Sequence, residues 1–170
     1  MFLTVCILLC GCKNGEQVEI SHDEIKTLVD LDYTYTNYSH YDSALIRYNQ
    51  DLYVMRDTHK YYKIIDPNLD TWVEWEEFAE GIYSSDFLEL RLNELRSMVI
   101  DVDGYAYVVP RSQGRPLSVD YECKIIEQND GRAVAQAIYT DIQEDTFGEE
   151  IIYTYEFRHT PSGWRITSVS

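Results

Sequence analysis

The hydrophobic period changes near residue 97, and that change constrains the fold more than any other feature. Between Thr71 and Leu95 apolar residues recur every three or four positions; from Ser97 onward they alternate. Leu117, Val119, Tyr121, Cys123 and Ile125 alternate with Ser118, Asp120, Glu122 and Lys124, and Ile151, Tyr153, Tyr155 and Phe157 share one parity further on. A period of two sends successive side chains to opposite faces, so each run predicts a strand with one buried and one solvated face. Turn residues punctuate the runs at Asp103-Gly104, Asn129-Asp130-Gly131 and Thr160-Pro161-Ser162-Gly163. The predicted strands are 98–101, 105–109, 117–128, 132–142, 150–159 and 164–169. Short turns join antiparallel neighbours, so the last four form a meander.

Helical spacing dominates earlier. Ser21-His22-Asp23-Glu24 has the form of a capping box, and Ile25, Leu28, Val29 and Leu31 or Asp32 follow on one stripe. Tyr33, Tyr35, Tyr38 and Tyr41 either continue that helix or become extended. Thr71-Trp72-Val73-Glu74 is a second capping box, followed by Trp72, Trp75, Phe78, Ala79 and Ile82 on one face and Glu74, Glu76, Glu77 and Glu80 outside it. Ser84 or Ser85 starts a third helix with Leu88, Leu92 and Leu95 aligned and Asp86 suited to the helix dipole. Extended runs at 44–48, 52–56 and 59–65 are read with Asn49-Gln50-Asp51 as a hairpin turn, and Asp66-Pro67-Asn68 ends them. The expected class is α+β: N-terminal helices packed on a curved antiparallel β-meander, as one domain over 21–170.

The N-terminus carries an address. The apolar run from Met1 stops at Leu9-Cys10-Gly11-Cys12 and gives way to Lys13-Asn14-Gly15-Glu16, which reads as a lipobox. Residues 1–11 are then a signal peptide, Cys12 carries the lipid, and 12–20 form a tether. The expected location is extracytoplasmic, with membrane attachment through that lipid only. Removal of Cys6 and Cys10 and acylation of Cys12 leave Cys123 without a disulfide partner, and its place in an alternating run suits a small buried hydrophobe.

Thirty acidic residues against fourteen Lys and Arg give a net charge of −16. Phosphate backbones are bound by neutralising charge, so nucleic acid is excluded as the natural ligand and a cationic protein surface is favoured. The segment Asp141, Gln143, Glu144, Asp145, Thr146, Phe147, Gly148, Glu149 concentrates carboxylates around one aromatic. Asp141, Glu144, Asp145, Phe147 and Glu149 are the candidate partner-binding residues: the aromatic as an anchor, the carboxylates meeting a cationic rim. Pro110 to Pro116, with two Arg, is the other candidate contact.

Several motifs taken together resemble a known family. Tyr61-Tyr62-Lys63-Ile64, an aromatic and acidic helix pair ending in Tyr83-Ser84-Ser85, Asp103-Gly104-Tyr105-Ala106-Tyr107-Val108-Val109 and the terminal Gly163-Trp164-Arg165-Ile166 resemble the IseA-type inhibitors of cell-wall DL-endopeptidases. The resemblance spans roughly residues 50 to 168, and the Gly-Trp-x-Ile ending is shared with cystatin-like and nuclear-transport-factor-like sheets. It implies a cystatin-like fold and a non-catalytic protein that blocks peptidoglycan hydrolases of the NlpC-type cysteine peptidase class by placing an acidic loop at their cleft.

No cofactor, metal or catalytic residue is expected. His22, His40, His59 and His159 lack zinc-site spacing, and Asp101-Val102-Asp103-Gly104 is a hairpin turn without the further ligands of a calcium loop. Two other readings have defined structural signatures. A small-ligand-binding or sensory protein needs a roomy cavity between helices and sheet with convergent polar groups, and is excluded if Trp72, Trp75, Phe78 and Trp164 fill that space. A catalytic reading needs a strongly perturbed carboxylate in the same cavity, for example Asp120 or Glu122 beside Tyr121 or Tyr139.

Overall fold

The computed structural model describes residues 18–38, 46–110, 117–141 and 148–170. Their order is α1 (His22–Thr36), β1 (Tyr48–Arg56), β2 (His59–Ile64), α2 (Trp72–Ile82), α3 (Ser85–Leu95), β3 (Val99–Val102), β4 (Tyr105–Val108), β5 (Leu117–Asn129), β6 (Arg132–Asp141), β7 (Glu150–Thr160) and β8 (Gly163–Val169). The class is α+β, with two four-stranded antiparallel sheets ordered β1-β2-β4-β3 and β5-β6-β7-β8.

Both capping boxes form. The Ser21 and Thr71 side chains accept from the N–H groups of Glu24 and Glu74, and the two carboxylates accept in return from the cap N–H groups. Those returned bonds hold both carboxylates below the usual range. Ser84 starts α3 without a side-chain cap bond. The Asp103-Gly104 hairpin also forms, with both residues at positive φ (54° and 84°), the two-residue geometry whose twist matches its strands.

The second sheet carries the meander, and its inner face explains how the helices approach it. Ala133, Ala135 and Ala137 on β6 stand directly opposite Phe157, Tyr155 and Tyr153 on β7. Small residues facing large ones on one face leave room for α1 and α3 to lie against the sheet. Ile25 and Val29 of α1, Trp75, Ala79 and Ile82 of α2, and Leu92 and Leu95 of α3 are buried in one core with Trp164 and Ile166 of β8. The link between α2 and α3 is fastened to that sheet: Ser84 N–H donates to the Ile166 carbonyl at 2.9 Å.

Two expectations are corrected. Asn49-Gln50-Asp51 is no hairpin turn; it is an irregularity inside β1, where Asp51 N–H donates to Asn49 Oδ1 at 2.9 Å, and the chain reverses instead at Asp57-Thr58. β1 is an edge strand exposed over most of its length, so a polar bulge there costs no buried hydrogen bond. The early strands form a separate sheet, in which β2 pairs with β4. The expected tether loses its last residues: Ile20 is buried and the Val18 carbonyl accepts from Gly131 N–H, so residues 18 to 20 belong to the folded body. Helix α1 continues through Tyr35, which decides between the two readings of the tyrosine run.

Candidate functional site: a tyrosine-lined cavity over a buried ion pair

Two charged residues occupy positions on helical apolar stripes. Asp32 follows Leu28 by four and Val29 by three on α1; Arg91 follows Leu88 by three and precedes Leu95 by four on α3. The helices therefore carry both side chains inward, and they meet: Arg91 Nη2 lies 3.3 Å from Asp32 Oδ1, with side chains 11% and 7% exposed.

The pair sits in a network that meets most of its hydrogen-bonding needs. Tyr83 hydroxyl donates to Asp32 Oδ1 at 2.6 Å and Tyr155 hydroxyl to Asp32 Oδ2 at 3.0 Å. Arg91 Nη1 donates to Glu94 Oε2 at 2.7 Å, and Nη2 also bonds the Thr36 hydroxyl and, at 3.2 Å, the Tyr83 oxygen. The rings of Tyr35 and Tyr83 lie 5.6 and 5.2 Å from the guanidinium carbon, and Tyr35 hydroxyl donates to the Arg91 carbonyl. Arg91 Nε is buried and makes no hydrogen bond.

Burial sets the electrostatics. Desolvation raises the Asp32 pKa above the ordinary carboxylate value, against the opposing pull of Arg91, Tyr83 and Tyr155. Desolvation would depress Arg91, but Tyr83, Asp32 and Glu94 more than offset it and hold the guanidinium above its ordinary value. Tyr83 and Tyr155 are pushed well above the usual phenol range, first by burial and then by the Asp32 charge.

Beside this pair a cavity of about 310 Å³ opens between α1, α3 and the second sheet. Asp32, Tyr33 and Asn37 line it from the α1 side, Phe87, Leu90, Arg91 and Glu94 from α3, and Tyr139, Tyr153 and Tyr155 from the sheet. Tyr139 stacks on Tyr121 at 4.8 Å and meets Tyr153 edge-on at 5.8 Å, so the sheet wall is a continuous aromatic surface. Trp75 and Trp164 are buried in the core with Trp72 and Phe78 packed against it, and the cavity lies outside that cluster.

The residues singled out in the sequence fall elsewhere. Asp141 ends β6, paired with Leu117, and Glu149 is exposed just before β7. Glu144, Asp145 and Phe147 lie outside the described residues, as do Arg111, Arg115 and Cys12. Asp120 and Glu122 are exposed and take no part in the cavity, because the face of β5 that carries them points to solvent; the buried carboxylate is Asp32. Tyr121 hydroxyl donates to Asp30 Oδ1 at 2.7 Å, and Cys123 is half-buried, its thiol pushed up by burial. Among the described residues no three His, Cys, Asp or Glu side chains converge as metal ligands do, and no helix is long and apolar enough to cross a membrane.

Sequence reasoning missed Asp32 and Arg91, although a signal existed: each is a charge on an otherwise apolar stripe, on helices that pack against the same sheet. No protein-family model and no curated protein matches the chain.

Proposed function

We propose that this domain binds a small organic ligand in the cavity between its helices and its second sheet. The observation that carries the reading is the 310 Å³ space lined by five aromatic rings, with Asp32, Arg91 and Glu94 also on its wall. Binding sites for small molecules are concave, mostly apolar and furnished with a few placed polar groups, and this one falls at the lower end of their usual size. Asp32 meets the condition of a perturbed carboxylate, yet both its oxygens already accept from Tyr83, Tyr155 and Arg91. Its side chain is 7% exposed and its oxygens are taken up within the protein, so it offers a substrate no open site for proton transfer, which favours binding without a chemical step. The finer fold reading, a cystatin-like wrap of the second sheet around its helices, is part of this proposal.

The test is a thermal-unfolding screen of the purified domain against a small-molecule collection. A genuine ligand at one hundred times its Kd stabilises by about 2.7 kcal/mol. Leu90, half exposed at the rim, is replaced by Trp to plug the opening. The expected result is a ligand-dependent shift that Leu90→Trp abolishes while the unliganded midpoint stays put; shifts that survive the plug place binding elsewhere.

A second reading is favoured by where the acidic segment leaves the sheet. Asp141 and Glu150 end the two central strands two residues from Tyr139 and three from Tyr153, both of which line the cavity. The segment between them is the one that the resemblance to DL-endopeptidase inhibitors assigns to the hydrolase cleft. On this reading the protein is held outside the membrane by a lipid on Cys12 and occludes a peptidoglycan hydrolase with Asp141, Glu144, Asp145, Phe147 and Glu149. It predicts salt-sensitive inhibition of an NlpC-type DL-endopeptidase, weakened tenfold or more by Glu144→Lys with Asp145→Lys. An undiminished hydrolase rate at micromolar concentrations of the protein refutes it.

A further inference from the structure

The chemistry of the walls narrows what the cavity accepts, an inference that rests on the ligand-binding reading just given. Ligand carboxylates and phosphates are recognised above all by the paired outer nitrogens of an arginine. Here both are committed within the protein, Nη1 to Glu94 and Nη2 to Asp32, Thr36 and Tyr83. An anion entering the cavity therefore finds the guanidinium fork occupied and faces two carboxylates against one cation.

The two carboxylates differ in reach. The Asp32 side chain is 7% exposed and sealed behind tyrosine hydroxyls, whereas that of Glu94 is 33% exposed. Glu94 is thus the negative charge that an incoming group meets. The same cavity is lined by the rings of Tyr33, Phe87, Tyr139 and Tyr153, and aromatic rings attract positive charge to their π faces. The net charge of −16 adds a field that concentrates cations near the surface and repels anions.

We propose that the cavity takes an organic cation, an ammonium group on a small apolar body, with the tyrosine rings packing the body and Glu94 serving as counter-ion. Neutral isosteres fit the same volume but forgo the attraction to the ring faces and to Glu94. Anions of the same size are rejected.

The test is calorimetric titration of the full chain with three probes: choline, its uncharged isostere 3,3-dimethylbutanol, and benzoate. Choline is expected to bind at least tenfold tighter than either of the others, with an affinity that falls as salt is added. Glu94→Gln is expected to reduce choline affinity fivefold or more while leaving dimethylbutanol unchanged. Because Glu94 also pairs with Arg91, Tyr153→Leu serves as a second variant, expected to weaken choline more than dimethylbutanol. Equal or tighter binding of dimethylbutanol or benzoate, abolished by Leu90→Trp, overturns the cation assignment and leaves the ligand-binding reading standing. Absence of binding by every probe overturns the assignment, and absence of any Leu90→Trp-sensitive ligand in the wider screen removes the reading beneath it.

Discussion

Raising the pH above about 10 will unfold this protein steeply, over a narrower range than tyrosine ionisation in a simple peptide occupies. Tyr35, Tyr83, Tyr139 and Tyr155 are all buried, and burial, the leading cause in each case, pushes every one of these phenols above its ordinary value. For Tyr83 and Tyr155 the neighbouring Asp32 carboxylate opposes a second negative charge and adds to the shift. The sign follows from proton counting. Below about pH 10 folded and unfolded chains both keep the four protons, and stability is independent of these groups. Above it the unfolded chain releases them while the native state retains them, so the unfolded state binds fewer protons and stability falls as pH rises toward the folded pKa values. Each buried phenol contributes a slope of about 1.4 kcal/mol per pH unit, so four acting together approach 5 to 6 kcal/mol per unit. That is comparable to the whole stability of many domains. Denaturant midpoints measured between pH 8 and 11, with tyrosinate absorbance followed in parallel, test it: ionisation and unfolding should coincide. Titration of all fifteen tyrosines without loss of structure would show that the cluster is open to water.

The same cluster shows where a sequence speaks and where it is silent. Capping at Ser21 and Thr71 and the Asp103-Gly104 hairpin were legible because their signals are local: a side chain within three residues, a positive φ that few residues tolerate. The period-two runs gave the second sheet for the same reason. Asn49-Gln50-Asp51 misled because a polar triplet looks alike in a turn and in a bulged edge strand, and only the pairing partner, β2, separates the two. The pairing of β2 with β4 across two intervening helices has no local signature, since the register that joins Tyr62 to Val108 is set by the core. The cavity belongs to this last kind. Asp32 was read as one of two alternatives for an apolar stripe, and Arg91 lies within a stripe read only through its leucines. Each is an anomaly that acquires meaning only from the other, fifty-nine residues away.

Replacing Arg91 by Met will destabilise the domain more than Asp32→Asn does. The guanidinium is the sole cation bonded to Asp32 among the described residues, and without it a buried carboxylate keeps only the Tyr83 and Tyr155 hydroxyls. Removing one partner of a buried pair typically costs about 3 to 5 kcal/mol, because the remaining charge stays desolvated without compensation. Asp32→Asn removes the charge and keeps an acceptor for the tyrosines, and Arg91 retains Glu94, so its cost should be about 1 to 3 kcal/mol. The double variant Asp32→Asn with Arg91→Met should then be more stable than Arg91→Met alone, a non-additivity that reports the pair directly in urea unfolding. Equal costs for the two single variants, or strict additivity, would mean that the ion pair contributes only its packing. A buried pair of this kind is weak evidence for stability, since apolar side chains of similar volume generally do as well. Its place at the wall of a cavity, with Asp32 sealed and Glu94 partly exposed, fits the ligand-binding reading proposed above. The unliganded stability of the double variant and its choline affinity should therefore part company: the first largely recovered, the second still impaired through the misplaced Glu94.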